Sequence, residues 1–299
     1  MTTPESTDCA AVLGRLAPER QCLTMEGRDA RAVLQGVVTN DVGKLAPERA
    51  VYAALLTPQG KYLFDFFLID AGDDRILIDV AADRAEPLAR RIKMYCLRRD
   101  ARVAMAEGIA VGQAWPGGPG PHPPARPRPP ARPRPPGQAG TVVPDPRAEA
   151  LGWRIYGPDP AAVLGAWSAG AAPEDAWTAL RIRHLVPETG VELVPDDTFI
   201  LEAGFERLHG VDFKKGCYVG QEVTARMKHK TALRKGLVQV AVEGSVPPGT
   251  AVETAENKPA GVLFSQAGGF GLAHLRFDRA EGELRAGPAR VKLEQAVAG

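Results

Sequence analysis

Residues 214–226 read K-K-G-C-Y-V-G-Q-E-V-T-A-R, a stretch that places one cysteine between two glycines and beside a pair of lysines. Because Gly216 and Gly220 allow backbone angles and close approaches that a side chain forbids, the pattern predicts that Cys217 lies on a tight, constrained turn. The lysine pair and the positive end of a helix beginning near Val219 would both favour the thiolate over the thiol. The alternative is a small, buried and inert cysteine in a glycine-rich connector.

Residues 215–222, with Arg226 four residues further on, resemble the signature of the YgfZ family of folate-binding proteins linked to iron–sulfur cluster maintenance. That family is structurally related to the aminomethyltransferase, or T-protein, of the glycine cleavage system. The resemblance implies an α+β, T-protein-like fold, in which two ferredoxin-like α+β halves form a folate-binding core and a small β-barrel follows at the C-terminus. It also implies that Cys217 is the functional thiol, in the catalytic position, accompanied by the motif residues Lys215, Gly216, Tyr218, Gly220, Gln221, Glu222 and Arg226.

The bulk composition is that of an ordinary globular chain of 299 residues. Lys and Arg number 37 against 36 Asp and Glu, so the formal net charge of +1 gives no reason to expect nucleic acid or a membrane as a direct partner. The four cysteines show no C-x-x-C pairing, which favours reduced thiols. The N-terminus lacks a basic and apolar leader, and no apolar run approaches the roughly 20 residues that span a bilayer. We therefore expect a cytoplasmic protein, and a monomer.

The first α+β half is predicted over residues 20–114. Apolar residues at strand and helix spacing alternate there, and Thr-Pro-Gln-Gly at residues 57–60 predicts a hairpin turn. The resulting order is strand, helix, three strands, helix and strand, which is typical of a largely antiparallel α+β unit. The predicted elements are strands near 22–25, 50–56, 61–69, 75–80 and 101–105, and helices near 32–37 and 84–94.

Residues 115–146 interrupt this pattern with two tandem copies of P-P-A-R-P-R at 123–134. Such a composition predicts a disordered or extended, polyproline-like linker. A spacer is the favoured interpretation. The alternatives are a ligand for a proline-recognising module and a basic arm for RNA phosphates.

The second α+β half is predicted over residues 147–234, with a strand at 151–156 and helices near 159–167 and 174–185. Five short strands separated by Gly and Pro then predict a small β-barrel over residues 235–299. They lie at residues 237–242, 251–253, 260–265, 270–275 and 289–293. This region resembles the C-terminal barrel of T-protein relatives. The resemblance leaves out only the first twenty or so residues and the proline-rich segment.

Asp65 is an acid inside the apolar strand predicted at residues 61–69. An unpaired charge would be costly there, so Asp65 should face a polar cavity or have a partner. In the T-protein relatives, the matching strand carries an acid that contacts the folate, so the resemblance makes Asp65 a folate-binding residue. The alternative is an edge-strand acid that faces solvent.

Three further residues are candidates for folate binding: Arg181 and Asn40, which lie in stretches that resemble the family, and Glu202. Arg181 begins a stretch, residues 181–187, that resembles a pocket-lining segment of the family. The chain has Arg183 near the place where aminomethyltransferases carry a pterin-binding Glu, which counts against aminomethyl transfer. Glu202 is the candidate acid in its place, since an acid accepts hydrogen bonds from a pterin. A surface position for Glu202 and a helix-capping role for Asn40 are the alternatives.

Three functional hypotheses follow. The first is a tetrahydrofolate-binding accessory protein that supports assembly or repair of iron–sulfur enzymes, with Cys217 as its thiol and iron–sulfur client or assembly proteins as partners. The second is a folate-dependent aminomethyl transferase. The third is an RNA-binding protein, linked to tRNA modification, that uses the Arg-Pro segment and the basic cluster at residues 228–230. The histidines are scattered without ligand spacing, so no metal site is expected.

Overall fold

A computed structural model describes residues 12–117, 140–230 and 233–296. Short 3-10 helices lie at Val42–Lys44, Glu149–Leu151 and Phe277–Arg279. None of the helices in these ranges has the length and apolar character needed to cross a bilayer. The strands and α-helices follow the chain as β1 (Val12–Leu16), β2 (Arg20–Glu26), α1 (Ala30–Val37), β3 (Val51–Leu56), β4 (Tyr62–Asp70), β5 (Arg75–Ala81), α2 (Ala82–Tyr95), β6 (Arg102–Met105), β7 (Ala110–Pro116), β8 (Thr141–Pro144), β9 (Trp153–Gly157), α3 (Pro160–Ala166), β10 (Gly170–Ala171), α4 (Ala176–Arg183), α5 (Gln221–Lys230), β11 (Lys235–Glu243), β12 (Thr250–Thr254), β13 (Pro259–Ala267), β14 (Phe270–Arg276), β15 (Leu284–Ala286) and β16 (Ala289–Ala296).

The first sheet contains β3, β4, β5, β2 and β6 in that order, with every pair antiparallel. One face packs on α1 and α2, and the other contributes to a core shared with the second sheet. Because both faces are covered, β3 and β4 are buried along almost their whole length, which explains the nearly continuous apolar run at residues 61–69. Residues 57–60 form the predicted hairpin turn, and Gly60 has a φ of 76° there.

The second sheet has the order β10, β1, β7, β9, β8, with a parallel pair between β10 and β1. The strands of this sheet cross the domain limits that the sequence predicted. Strand β1 lies in the part left out of the resemblance, β7 begins inside residues 20–114, and β8 lies inside residues 115–146. Both ends of the predicted linker therefore belong to a sheet, whereas the Pro-Arg repeat at 123–134 lies outside the described residues. The division of the chain into domains at these limits stays a prediction.

The C-terminal strands close into a barrel of order β11, β14, β13, β12, β15, β16. All five strands predicted in this region are present, and the barrel has its own apolar core. Strand β15, which has three residues, was not predicted. The predicted fold class, an α+β core followed by a small β-barrel, is confirmed.

Candidate functional site

The cysteine loop, residues 213–220, leads into α5. Gly216 and Cys217 are exposed at its tip, whereas the residues on either side, Lys215 and Tyr218, are only 8% and 7% exposed. The loop thus presents its thiol to solvent between two buried side chains. The alternative of a buried cysteine in a connector is therefore wrong.

Lys215 attaches the loop to the end of α1. Its Nζ donates hydrogen bonds to Gln35 O, at 2.8 Å, and to Val38 O. Both carbonyls lie at the C-terminal end of α1, where the last carbonyl groups of a helix have no hydrogen-bond donors within it. A buried ammonium group supplies such donors and also interacts favourably with the negative end of the helix dipole. Burial lowers the pKa of Lys215 to about 8, and Asp41 and Asp212 act in the opposite direction. Lys215 is therefore an anchor of the loop, and its predicted effect on the thiol stays a prediction.

Gly220 attaches the loop to the hairpin turn between β3 and β4. Its φ is +82°, and a Cβ on Gly220 would lie 2.6 Å from Thr57 O and 3.1 Å from the Cα of Gly60. A Cβ on Gly60 would in turn lie 2.8 Å from the Cβ of Val223 in α5. The two glycines therefore allow the hairpin turn and the start of α5 to touch, which is the close approach that the sequence predicted for Gly220.

Gly216 differs from Gly220. A Cβ added to Gly216 would meet nothing within 4 Å, and its φ lies outside the left-handed region. Neither packing nor backbone geometry within the described chain requires glycine at this position. The remaining motif residues lie in α5: Gln221 begins the helix, and Glu222 pairs with Arg226 across one turn at 3.2 Å, with both side chains largely exposed.

The described cysteines differ sharply in environment. Cys22 is buried in β2, and burial raises the pKa of its thiol. Cys96 is half-buried after α2, and burial raises the pKa of its thiol too. Cys9 lies outside the described residues.

We expect a limiting amount of iodoacetamide near neutral pH to label Cys217 before Cys22 and Cys96, because a thiol must be both accessible and ionised to react. Mass spectrometry of peptides from briefly treated protein measures the order. The same reaction in denaturant is the control, since unfolding should bring the three rates close together. Labelling of Cys96 ahead of Cys217 in the folded protein would contradict the assignment.

A cleft of about 300 Å³ lies between the first sheet and the segment that follows β8. It is lined by residues 48–52 together with Asn40, Lys44, Pro144, Pro146 and His209. Asn40 fixes one wall, because its Nδ2 donates to Tyr52 O at 2.8 Å and to His209 O at 2.6 Å. The volume is at the lower end of the range of small-molecule sites.

The other predicted folate residues lie elsewhere. Asp65 is buried on β4, where its carboxylate accepts hydrogen bonds from the hydroxyls of Tyr52 (3.0 Å), Tyr62 (2.8 Å) and Thr189. Asp65 therefore has partners and does not face solvent, so the edge-strand alternative is wrong. It lies behind Tyr52, which lines the cleft, and is not itself a lining residue.

Arg181 and Glu202 connect the core to the barrel. Arg181 donates to Ser265 Oγ of β13 at 3.1 Å and pairs with Glu188 at 2.7 Å. Glu202 is buried and lies 3.4 Å from both Lys235 Nζ and His274 Nε2 of the barrel. The surface alternative for Glu202 is therefore wrong. Of the four predicted folate residues, only Asn40 lines the cleft, so the structure does not bring them together into one pocket.

The sequence analysis missed a buried charge network between the two sheets. Asp79 of β5 accepts hydrogen bonds from Arg154 Nη2 (2.5 Å), Arg20 Nε (2.7 Å) and the Tyr156 hydroxyl (2.9 Å). The Arg154 guanidinium also lies 3.8 Å from the ring centre of Phe67. Burial acts to raise the pKa of Asp79, but the two arginines lower it below its usual value. The sequence contained a signal for this network, because Asp79 and Arg154, like Asp65, are charged residues within apolar strands.

Comparisons with known proteins define the class. The family model described as CAF17, C-terminal beta-barrel domain, matches residues 234–297. The whole fold is similar to the crystal structure of glycine cleavage system aminomethyltransferase T from Bartonella henselae, with a TM-score of 0.74, covering 97% of this chain and 86% of that one. Only 15% of the residues are identical, so this similarity shows the fold alone. The protein thus has an aminomethyltransferase-type fold with a CAF17-type barrel.

The sequence relatives narrow this class to a family. The chain is 31% identical to the mitochondrial iron-sulfur cluster assembly factor IBA57 homolog of Pyricularia oryzae, over 87% of this chain and 70% of that protein. It is 30% identical to human mitochondrial IBA57, over 89% and 78%. The corresponding Neurospora crassa protein is 30% identical, but the chain spans only 57% of its length. The chain belongs to the IBA57 family.

These comparisons confirm one expectation in part and correct another. The relatives are named IBA57 and not YgfZ, so the resemblance is confirmed in its coarser form, a T-protein-like fold in a family named for iron–sulfur cluster assembly. The expected cytoplasmic location is wrong, because the relatives are named as mitochondrial proteins.

Proposed function

We propose that this protein is a non-enzymatic accessory factor that supports the assembly or repair of iron–sulfur enzymes, with Cys217 as its functional thiol. The observation that carries the proposal is the exposed thiol held between the buried anchors Lys215 and Tyr218. A thiolate is a good ligand for iron and iron–sulfur clusters, and an exposed one can reach a second protein. Its partners would be iron–sulfur client or assembly proteins, consistent with the family name.

The test is complementation of cells depleted of their own IBA57. Expression of the chain should restore the activity of iron–sulfur enzymes, measured against a cluster-independent enzyme from the same extract. Because the relatives are named as mitochondrial, the chain should be directed to that compartment. Undiminished growth defects and enzyme activities no higher than in cells with an empty vector would reject the proposal.

A second part of the proposal is that tetrahydrofolate binds in the cleft. The cleft is lined by residues from both predicted halves of the core, and Asn40, one of the four residues expected to bind folate, is among them. Tyr52 joins it to Asp65, since its backbone carbonyl accepts from Asn40 and its hydroxyl donates to Asp65. Binding at this place would therefore bring a ligand close to two of the predicted residues.

Tetrahydrofolate at 100 times its dissociation constant is expected to stabilise the protein by about 2.7 kcal/mol, which thermal unfolding detects readily. Asp65→Asn should reduce this shift, because it removes the charge and places an amide donor among the three hydroxyls. Glu202→Gln is the control, because Glu202 has partners in the barrel and does not line the cleft. An unchanged shift in a folded Asp65→Asn variant would show that Asp65 does not take part in binding.

The two alternatives have narrower support. A folate-dependent aminomethyl transferase draws on the fold neighbour alone, at 15% identity. For RNA binding, Lys228 of the basic cluster lies 2.6 Å from Glu206, which offsets part of its charge, and the Arg-Pro repeat lies outside the described residues. Steeply salt-dependent RNA binding would favour the RNA alternative.

A further inference from the structure

The ammonium group of Lys44 stands between the cleft and the cysteine loop. Lys44 lines the cleft, and its Nζ lies 2.6 Å from Asp212 Oδ2 and donates to Asn40 Oδ1 at 3.3 Å. The side chain remains 36% exposed, so a solute in the cleft can reach it. One cation therefore contacts both the proposed ligand site and the residue that precedes the loop.

Asp212 in turn holds the beginning of the cysteine loop. Its Oδ1 accepts a hydrogen bond from the backbone N–H of Lys214 at 2.6 Å, and its own N–H donates to Thr39 O at 3.0 Å. The hydrogen bond from Lys44 lowers the pKa of Asp212, the backbone N–H groups of Lys214 and Lys215 act in the same direction, and burial opposes them. The carboxylate of Asp212 thus connects Lys44, through Oδ2, to the backbone of the cysteine loop, through Oδ1.

The remaining charges of the cleft favour a ligand that carries a carboxylate. Arg49 and His209 line it together with Lys44. Glu48 is the acid among the lining residues, and it has interactions of its own. A carboxylate entering the cleft would meet these cationic and ionisable groups, and it could bind Lys44 only in competition with Asp212.

We infer that a carboxylate of the ligand in the cleft displaces Asp212 from Lys44, and that this exchange loosens the cysteine loop and increases the reactivity of Cys217. The inference rests on the folate binding proposed above, because tetrahydrofolate carries two carboxylates on its glutamate. The two states have different contacts, as coupling between two sites requires: Lys44 pairs with Asp212 in one and with the ligand in the other. Lys215 and Gly220 keep the rest of the loop attached in both.

The test measures the rate at which iodoacetamide modifies Cys217 in a Cys9→Ser, Cys96→Ser chain, with binding followed separately by thermal unfolding. Saturating tetrahydrofolate should raise the rate at least about fivefold, the lower end of typical coupling between two sites. 6-Methyltetrahydropterin, which lacks the glutamate, is the matched probe. It should leave the rate unchanged even at concentrations that stabilise the protein.

Two variants separate the coupling from binding. Lys44→Met removes the partner of Asp212, so its rate without ligand should already be about fivefold above the parent, and tetrahydrofolate should not increase it further. Arg49→Met removes a cation from the same cleft but leaves the pair between Lys44 and Asp212. It should weaken binding, which thermal unfolding measures, and should still give the full increase in rate once tetrahydrofolate saturates the cleft.

The outcomes distinguish this inference from the folate proposal. A thermal shift with tetrahydrofolate but no change in the rate overturns the coupling and leaves folate binding in place. A parental rate in Lys44→Met without ligand also overturns it. The absence of any thermal shift rejects tetrahydrofolate, and with it the ligand named here, while the rate in Lys44→Met still decides whether Lys44 controls the loop.

Discussion

Replacement of Gly220 by alanine is expected to lower the free energy of unfolding by about 3 kcal/mol. Two causes add. Alanine is disfavoured at the φ of +82°, and its Cβ would lie 2.6 Å from Thr57 O and 3.0 Å from the Cβ of Leu56. Both neighbours belong to the hairpin of the first sheet, which has little freedom to move because β3 is buried on both faces. Urea unfolding of the parent and the variant measures the difference.

Gly216→Ala is the matched control, since it makes the same chemical change four positions earlier. Its Cβ would meet nothing within 4 Å and its φ is an ordinary one, so we expect a change of no more than about 0.5 kcal/mol. Equal losses in the two variants would show that the loop is not attached to the hairpin in the way described. A stable Gly216→Ala protein that no longer supports iron–sulfur enzymes would show instead that the partner needs the space beside Cys217.

Cys217→Ser is expected to abolish support of iron–sulfur enzymes while leaving the fold intact. The side chain is exposed, so its replacement should change the free energy of unfolding by no more than about 0.5 kcal/mol. A serine hydroxyl is not ionised near neutral pH and is a poor ligand for soft metals, so the chemistry is lost while the shape is kept. Complementation should fall to the level of cells without the gene.

Cys96→Ser is the control, because this half-buried thiol lies after α2 and outside the cysteine loop. It should support the enzymes as the parent does. Full complementation by Cys217→Ser would remove the thiol role and leave the motif with a structural function. Loss of support in both variants would indicate a general effect of removing thiols and would contradict a specific role for Cys217.

The parts of the fold that could be predicted are those with local signals. The hairpin turn at residues 57–60 has Pro and Gly where the backbone needs them, and the barrel strands alternate between turn residues. The second sheet could not be predicted in this way. Its strands β1 and β7 pair with each other and then with elements far along the chain, and nothing in a short window specifies such partners.

In the candidate site, too, the features that depend on local backbone conformation could be predicted and the long-range contacts could not. Glycine at position 220 follows from its conformation, and the sequence indicated it correctly. The direction of Lys215 could not be foreseen, because its acceptors, Gln35 O and Val38 O, lie in another part of the chain. Asp65 was rightly expected to have partners, but the three hydroxyls that supply them come from β3, β4 and the loop after α4. Long-range pairing decided these details.

The strand order of the second sheet also has a consequence for folding during synthesis on the ribosome. Strands β1 and β7 emerge early, and their pairing leaves one side of β7 open until β9 has been translated. An open strand edge on a nascent chain is a site for pairing with other chains, and N-terminal regions generally begin to fold first. The nascent chain therefore passes through a stage in which β7 is paired with β1 on one side and has an exposed edge on the other. During that stage the exposed edge of β7 is available for pairing with other chains.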